Sequence, residues 1–339
     1  MQRILILILC WPLGLTAQSL GGNAIYNFLR MPANAQTAAL GGVNISVPGK
    51  DLGMIFQNPA LLRPDMQQQA SVSFQALPGG IGQYGMVNAW HLSEAKTSIA
   101  AGLVYFNYGD LTQTDASGMV LGSFRPRDYA IQATASRQYK EHWWYGLTLR
   151  FIRSEYGQYR SSGLAADLGI NFHDPATGWQ AALTAKNMGT QLSTYTPGGP
   201  KEELPFDLQL GVTKKLLEAP VQFSLSFQQV NRFRNLYNDT SFRAGEGDDR
   251  YLQANGWQRF SGHLVLGAQF FLGDKIELST GYHFQRRQEL NGFGISNGLN
   301  GFSFGTALLL PRLQFRYATG FYQRNLFHQV SLQFRWKDE

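Results

Sequence analysis

One motif in the sequence has the glycine spacing that many proteins use to bind phosphate. Gly80, Gly82 and Gly85 in the stretch GGIGQYG fit the pattern GxGxxG. In nucleotide-binding proteins this pattern opens a helix, whose amide groups then meet the pyrophosphate. Here a segment of alternating residues follows, which predicts a strand instead. We therefore interpret the motif as a glycine-rich hairpin turn and predict no cofactor.

Metal-dependent and other catalytic chemistry finds little support in the residue pattern. The six His residues show no pairing at a metal-ligand spacing such as HxxxH. Two acidic groups could in principle bind calcium or a basic patch on a partner. They are Glu246, Asp248 and Asp249 in one stretch, and Asp110 and Asp115 in another. Neither group is an ordered run of alternating oxygen ligands, so solvated loops are the better interpretation. We predict no metal site and no enzymatic activity.

Four charged residues of alternating sign lie on successive segments of the chain: Arg150, Asp167, Lys186 and Asp207. In each segment apolar and polar residues alternate, so the four side chains are expected to face the same side of a sheet. Neighbouring strands could pair these charges, a plug could meet them, or water could hydrate each of them. A mixed set favours a closed, cross-linked interior over an ion-selective pore.

The elements that would position these charges are strands. A composition of 37 Gly, 23 Phe and 15 Tyr with 15% charged residues is typical of many short strands. The alternation predicts fourteen of them, over 70–77, 83–92, 97–107, 128–139, 143–155, 162–172, 178–188, 205–215, 220–231, 259–271, 275–287, 300–310, 313–322 and 326–336. Each is close to the length that a membrane-crossing strand needs.

The predicted connections differ between the two ends of the strands. Those after even-numbered strands are tight, whereas those after odd-numbered strands include four long segments, 108–127, 189–204, 232–258 and 288–299. Outer-membrane barrels have short periplasmic turns and longer outer loops. Five tryptophans fall near the short-turn end, where an aromatic girdle is expected: Trp90, Trp143, Trp144, Trp179 and Trp336. We predict an all-β fold, a 14-stranded antiparallel transmembrane β-barrel in a Gram-negative outer membrane.

The N-terminal residues precede the predicted barrel, 70–336, and differ from it in pattern. Residues 1–17 combine a basic residue, a short apolar run and small residues at the end, which predicts a cleaved signal peptide. Cys10, the only cysteine, lies in it; a lipoprotein acceptor role is the alternative. Residues 18–69 do not alternate, and we interpret them as a hatch or plug, the alternative being a flexible periplasmic leader.

Short helices and turns are predicted within this plug. In PANAQTAALGG, Pro32 lies near a helix start and Gly41 and Gly42 lie at its end. In QNPALL, Asn58 can cap a helical turn and Pro59 can occupy its first position. Ala60 follows them.

The same residues carry a resemblance to a known family. The segment ALGGVNISVPGKDLGMIFQNPALL, residues 39–62, resembles the N-terminal hatch of FadL-like outer-membrane proteins, whose Asn-Pro-Ala motif matches Asn58, Pro59 and Ala60. With the preceding YNFLRMPANAQTA it resembles, more narrowly, the PorQ proteins of the type IX secretion system, which are related to PorV. The specific resemblance covers roughly residues 22–66.

The resemblance implies a place in the attachment complex, which receives exported cargo, removes its C-terminal signal and links it to lipopolysaccharide. In that family a PorQ barrel tethers PorZ at the cell surface, alongside PorV and the sortase PorU. A FadL-like transporter of hydrophobic compounds is the alternative, and it would need a less polar lumen. Outer-membrane lipid is the other expected partner. Nucleic acid is not expected, because the net charge of +6 is spread over single basic residues.

The longest connection, residues 232–258, is the candidate surface for docking a partner. It contains Arg234, Tyr237, Phe242, Arg243, Tyr251 and Trp257. Tyr, Trp and Arg most often anchor protein interfaces, although a loop of this length could contain them by chance.

Overall fold

Side chains alternate between the two faces of each strand, and this alternation determines the architecture. The computed structural model describes residues 24–47, 49–232, 255–290 and 297–336. In the strand Trp143–Tyr156, Thr148 and Arg150 are buried, whereas Leu147 and Leu149, which alternate with them, are exposed. A strand of this kind needs a polar interior on one side and an apolar surrounding on the other.

Sixteen strands lie within the described ranges. They are β1 (Gln69–Leu77), β2 (Ile81–Leu92), β3 (Thr97–Asn107), β4 (Leu111–Thr114), β5 (Val120–Phe124), β6 (Arg127–Tyr139), β7 (Trp143–Tyr156), β8 (Tyr159–Asp174), β9 (Trp179–Ser193), β10 (Asp207–Lys215), β11 (Val221–Phe227), β12 (Leu264–Leu272), β13 (Ile276–His283), β14 (Phe302–Leu309), β15 (Leu313–Tyr322) and β16 (Asn325–Arg335). All except β4 and β5 form one closed barrel, in which β16 returns to pair antiparallel with β1. The predicted closed 14-stranded antiparallel barrel is confirmed.

The last strand shows how the barrel separates its two faces. Ser331 and Gln333 are 3% and 5% exposed and face the lumen, whereas Phe334 and Trp336 are 38% and 50% exposed on the outside. Large exposed apolar side chains recur on the outer face of every barrel strand, among them Met86, Ile131, Phe223, Phe270 and Leu278. An apolar outer band with a polar lumen is the arrangement that lipid contact requires.

Several strands differ from their predicted bounds, and at two of them a helix capped by a side chain takes the place of the predicted strand end. The strand predicted from residue 259 begins at Leu264, after α2 (Gly256–Ser261). Asn255 accepts a hydrogen bond from the Gln258 amide at 2.8 Å, and the Gln258 side chain accepts one from the Asn255 amide at 2.9 Å. The strand predicted to 287 ends at His283, which caps α3 (Phe284–Glu289). Such caps are set by single side chains, which the alternation does not register.

The connections also differ in part from the prediction. Three of those after odd-numbered barrel strands, at 78–80, 157–158 and 323–324, are as tight as the turns at the other end. Gly79, Gly80 and Gly157 have φ of 82°, 77° and 63°, which permits such turns. The GxGxxG stretch thus forms the β1–β2 hairpin. The loop 108–127 is not irregular, since it contains the hairpin of β4 and β5.

Residues 24–68, named here the lumenal segment, lie against inward-facing side chains around the barrel. The segment contains α1 (Ala35–Ala39) and short 3-10 helices at Asn27–Arg30, Leu52–Phe56, Pro59–Leu61 and Pro64–Met66. Its helices contact β1 and β2, β6 to β8, and β13 to β16. Across the described ranges we find no helix with the length and apolar character needed to span a bilayer.

Candidate functional site

Two of the four charges on the strands form a buried ion pair. Arg150 Nη2 lies 2.8 Å from Asp167 Oδ2, between β7 and β8. The other donors of Arg150 reach Asn187 Oδ1 at 2.7 Å and Gln132 Oε1 at 3.2 Å. The free Asp167 oxygen accepts the Asn187 amide at 2.7 Å. Asn187 has φ of 57°, and the β8–β9 register shifts beside Asp167. The ion pair therefore stabilises a local irregularity in the pairing of β8 with β9, and both of its charged groups have hydrogen-bonding partners.

The other two charges, Lys186 and Asp207, are directly opposite in the β9–β10 register but use different partners. Lys186 Nζ lies 3.1 Å from the carbonyl oxygen of Phe56 and 3.4 Å from Gln57 Oε1, both in the lumenal segment. Asp207 accepts hydrogen bonds from the backbone amide of Gln229 at 2.6 Å and from a side chain of its own strand. All four charges are buried, and one of them ties the barrel wall to the lumenal segment.

The Asn-Pro-Ala motif packs into the wall with its own polar atoms satisfied. Asn58 is fully buried; its Oδ1 accepts the Ala60 amide at 2.9 Å, and its Nδ2 donates to the carbonyl of Ile45 at 2.9 Å. Pro59 occupies the first helical position, as expected. A Cβ on Gly146 of β7 would lie 2.5 Å from the carbonyl carbon of Pro59, so this close approach requires glycine.

Gly41 and Gly42 end α1 and meet the opposite side of the wall. Their φ values of 95° and 93° belong to the left-handed region. The Gly42 amide donates to the carbonyl of Thr37 at 2.8 Å, which ends the helix. A Cβ on Gly281 of β13 would overlap the backbone nitrogen of Gly41. The two glycines therefore permit both the turn and backbone-to-backbone contact.

Inward-facing glycines recur around the whole barrel, and this pattern was not recognised in the sequence. Each of nine would place a Cβ against a residue of the lumenal segment: Gly85, Gly102, Gly146, Gly163, Gly169, Gly211, Gly267, Gly281 and Gly305. A glycine in a strand interior commonly marks close approach of another backbone. These glycines occupy positions that alternate with the outward-facing apolar residues, and this spacing in the sequence could have predicted the close packing of the lumenal segment.

A second charged cluster joins the lumenal segment to the wall, and sequence reasoning missed it. Arg316 of β15 lies between two carboxylates, with Nε 3.0 Å from Asp51 Oδ2 and Nη1 2.9 Å from Glu277 Oε2. Glu277 also accepts from Gln269 at 2.6 Å, and Asp51 accepts the Gly53 amide at 2.7 Å. The side chains of all three charged residues are at most 8% exposed. We name Asp51, Arg316 and Glu277 the lumenal latch.

Near the long-loop end, aromatic and apolar side chains fill the space beside the lumenal segment. Buried residues of one cluster include Tyr26, Phe28, Phe106 and Ile152. Tyr26 shares a 2.5 Å hydrogen bond with Ser161, and burial raises the pKa of its hydroxyl.

At the short-turn end the lumen opens into a cavity of about 1470 Å³. The lumenal segment contributes Gln36, Lys50 and Arg63 to its lining. The wall contributes further amides and charges, including Gln222, Gln269, Gln333, Lys275 and Arg335. Apolar side chains, among them Met54, Leu61 and Phe271, line the cavity as well, so this mouth offers both polar and apolar surface to a ligand.

The predicted tryptophan girdle holds for four residues and is wrong for the fifth. Trp90, Trp143, Trp179 and Trp336 are 42% to 50% exposed on the outer face. Trp144 is 8% exposed and faces the lumen, where the Arg63 guanidinium lies 4.1 Å from its ring centre. Adjacent residues on a strand face opposite sides, so Trp143 and Trp144 could not both meet lipid.

The predicted docking loop falls mostly outside the described residues. Only Trp257 of the six candidates is described; Arg234, Tyr237, Phe242, Arg243 and Tyr251 are not, and neither is the acidic group at 246–249. Trp257 lies in α2, is 67% exposed and packs on Phe260 with ring centres 5.9 Å apart.

The β4–β5 hairpin is the other exposed element among the long connections. Leu111, Met119, Val120 and Leu121 on it are 45% to 65% exposed. The two acidic residues singled out in this stretch have structural partners. Asp110 pairs with Arg125 at 2.7 Å, and Asp115 accepts hydrogen bonds from Ser117 and Met119 in the hairpin turn.

Comparisons with known proteins show similarity in structure but not in sequence. No protein-family model matches the chain, and no curated protein matches it. Among solved structures it is similar to a mutant TodX monoaromatic hydrocarbon channel, with TM-score 0.54 and 12% identity over 89% of this chain and 99% of that one.

Two further solved structures are similar over nearly their whole lengths. The CymD monoaromatic hydrocarbon channel has TM-score 0.52 and 12% identity, over 93% of this chain and 100% of that chain. A FadL homologue of Pseudomonas aeruginosa has TM-score 0.51 and 9% identity, over 90% and 98%. At such identities the likeness concerns the fold alone.

Proposed function

We propose that this protein is an outer-membrane barrel of the FadL type, in which the lumenal segment acts as a hatch and small hydrophobic compounds pass. The observation that carries the proposal is the likeness to three such proteins along nearly the whole chain. Two of them are named as channels for monoaromatic hydrocarbons. Under this proposal the protein is not an enzyme.

The interior supports a hatch that must move for passage. Ser331 Oγ accepts the Ala35 amide at 2.9 Å, and Gln333 Oε1 accepts the Leu52 amide at 2.7 Å. On the other side of the barrel, Thr213 and Ser46 share a 2.8 Å bond. The apolar cluster around Tyr26 and Phe28 would meet a hydrophobic compound arriving from the long-loop end. A compound held there advances only when the hatch shifts.

Uptake measurements test this proposal. Cells lacking other hydrocarbon channels, with and without this protein, are given a labelled monoaromatic hydrocarbon and a labelled long-chain fatty acid. Faster entry of at least one compound is expected, and it should be slowed by replacing Phe28 with Asn, because a polar amide weakens contact with an apolar ligand. Equal entry with and without the protein would rule out the channel.

A second candidate function is a surface tether in the type IX attachment complex. It is supported by the resemblance of roughly residues 22–66 to the PorQ proteins, and by a lumen that the latch and other buried polar contacts occupy. Its partners would be a PorZ-like surface protein and, in one complex, PorU and PorV. The docking surface would be the loop 232–258, with the β4–β5 hairpin as the next candidate.

A mild-detergent pull-down with mass spectrometry separates the two functions. A tether retains a surface partner, and replacing residues 236–254 with a Gly-Ser linker should release that partner while the barrel still assembles. A channel keeps no such partner and instead loses uptake when its hatch is altered. If the partner remains bound after the loop is replaced, the docking surface is elsewhere.

A further inference from the structure

A cavity of about 910 Å³ lies at the rim of the short-turn end, beside the lumenal mouth, with which it shares lining residues such as Pro64 and Trp144. It is bounded by the turn between β2 and β3, the turn between β6 and β7, and Pro64 of the lumenal segment. We name it the rim pocket and define it by Lys96, Arg137, Lys140 and Trp143, with His91 and His142 beside them. Lys96, Arg137, Lys140 and Trp143 take no part in the lumenal contacts described above, whereas His142 also lines the lumenal mouth.

The charged side chains of the rim pocket are mostly basic and lack internal partners. Among the described residues, no hydrogen bond or ion pair engages the side chain of Lys96 or Arg137. Lys140 Nζ lies 5.4 Å from the ring centre of Tyr139. The only acid lining the pocket is Glu141, whose carboxylate is 3.9 Å from His142. Glu94 belongs to the same β2–β3 turn but does not line the pocket. The pocket therefore presents positive charge to an anion.

The backbone conformation of two of these residues is a second observation that points to a role for their side chains. Lys96 and Lys140 have φ of 48° and 54°, in the left-handed region. That conformation costs a non-glycine residue roughly 1–2 kcal/mol. Other turns at this end use glycine for it, as at Gly178 and Gly273 with φ of 74° and 65°. Strained positions of this kind cluster at binding sites.

The pocket also lies at the level where lipid headgroups are expected. Trp143 and Tyr139 are 46% and 59% exposed on the outer face beside it, and Trp90 of β2 is 42% exposed. Tryptophan and tyrosine concentrate at the headgroup region of a bilayer. Arg137 is paired in register with the outward-facing Tyr145, so its guanidinium projects to the same side.

We propose that the rim pocket binds the phosphodiester headgroup of an anionic phospholipid, a proposal that rests on the membrane location proposed above. Lys96 and Lys140 supply point charges to the phosphate, and Arg137 donates paired hydrogen bonds to its oxygens. Trp143 and Tyr139 lie against the glycerol and the first acyl carbons. The occupant is a lipid of the leaflet at the short-turn end, because the aromatic residues face that leaflet.

Native mass spectrometry of the purified, delipidated barrel tests the proposal. Phosphatidylglycerol is added, with phosphatidylethanolamine as the zwitterionic comparison. The triple variant Lys96→Gly, Arg137→Gln and Lys140→Gly should lose roughly 10- to 100-fold in affinity for phosphatidylglycerol, because each basic residue near a membrane surface contributes about fivefold. Lys96→Gly alone should lose several-fold. Unchanged affinity in the triple variant would overturn the proposal.

Three controls separate the explanations. Lys214→Gln should leave the affinity unchanged, since Lys214 lies 4.8 Å from the Trp179 ring at the same level but already donates to the Thr177 carbonyl at 2.7 Å. The glycine substitutions suit left-handed turns, so the melting temperature should not fall. If millimolar inorganic phosphate displaces the lipid, the pocket is a free-phosphate site and the lipid assignment is wrong. These measurements need neither uptake nor a surface partner, so the result is independent of both candidate functions.

Discussion

Replacing Arg316 with Met should release the lumenal segment while leaving the barrel closed. The substitution removes the one cation that lies between the carboxylates of Asp51 and Glu277. Breaking a buried pair in this way costs about 3–5 kcal/mol, because it leaves charge buried without a partner. The latch side chains are at most 8% exposed, so solvent screening reduces this cost little. The equilibrium for opening should rise roughly 100- to several thousand-fold, at a factor of ten for each 1.4 kcal/mol.

Cysteine labelling measures this opening. Ala38 in α1 is fully buried, and the sequence contains one Cys, Cys10, within the predicted signal peptide. Ala38→Cys in the mature chain therefore gives a single probe whose reaction with a water-soluble maleimide requires the segment to move. Labelling should be slow in the parent and faster by the factor above in Arg316→Met. The melting temperature of the barrel wall should change much less, since its strand pairing is untouched.

Two controls decide whether the latch is the cause. Removing all three charges, with Asp51→Asn, Glu277→Gln and Arg316→Met, should restore slow labelling, because no charge then remains buried without a partner. Arg125→Met breaks the exposed pair with Asp110, whose side chains are 57% and 62% exposed, and should have no effect. Labelling of Arg316→Met within threefold of the parent would refute the assigned role of the latch.

Other predictions concern pH, packing and topology. Burial raises the pKa of the Asp51 carboxyl, and Arg316 only partly offsets it, so docking of the segment takes up a proton. Docking of the lumenal segment is then strongest below the ordinary aspartate pKa of about 4, and it weakens as pH rises through the raised pKa. The rate of cysteine labelling, corrected for the fraction of thiolate, should therefore increase with pH. Asp51→Asn should remove most of this pH dependence. Gly281→Ala should displace α1, speed the labelling of Ala38→Cys and destabilise the protein by about 1–3 kcal/mol. Gly256→Ala should have none of these effects, because the space around its Cβ position is open. Equal behaviour of the two variants would contradict the close-approach argument. A tag near Gly247 should be labelled on intact cells and one at Gly273 should not; the reverse result would invert the topology.

Strand positions were predictable because they depend on local periodicity. Side chains on a strand alternate with period two, so Ser331 and Gln333 could be assigned to one face and Phe334 to the other without any tertiary information. The turn at Gly79 and Gly80 was predictable for the same kind of reason, since glycine alone adopts left-handed φ without strain. The alternation also placed Arg150 and Asp167 on one face, although not which atoms would pair.

The sequence could not determine which groups on different faces of the interior would meet. Whether 24–68 would fill the lumen or trail from the barrel depended on contacts such as Lys186 with the Phe56 carbonyl, and no local pattern encodes a contact between residues so far apart. The latch shows this most clearly, because Asp51 lies in an irregular segment and its partner Arg316 in β15 near the other end of the chain. Charge pairing of this kind depends on the distance between the groups and on their burial. Both are determined only when the barrel closes around the lumenal segment.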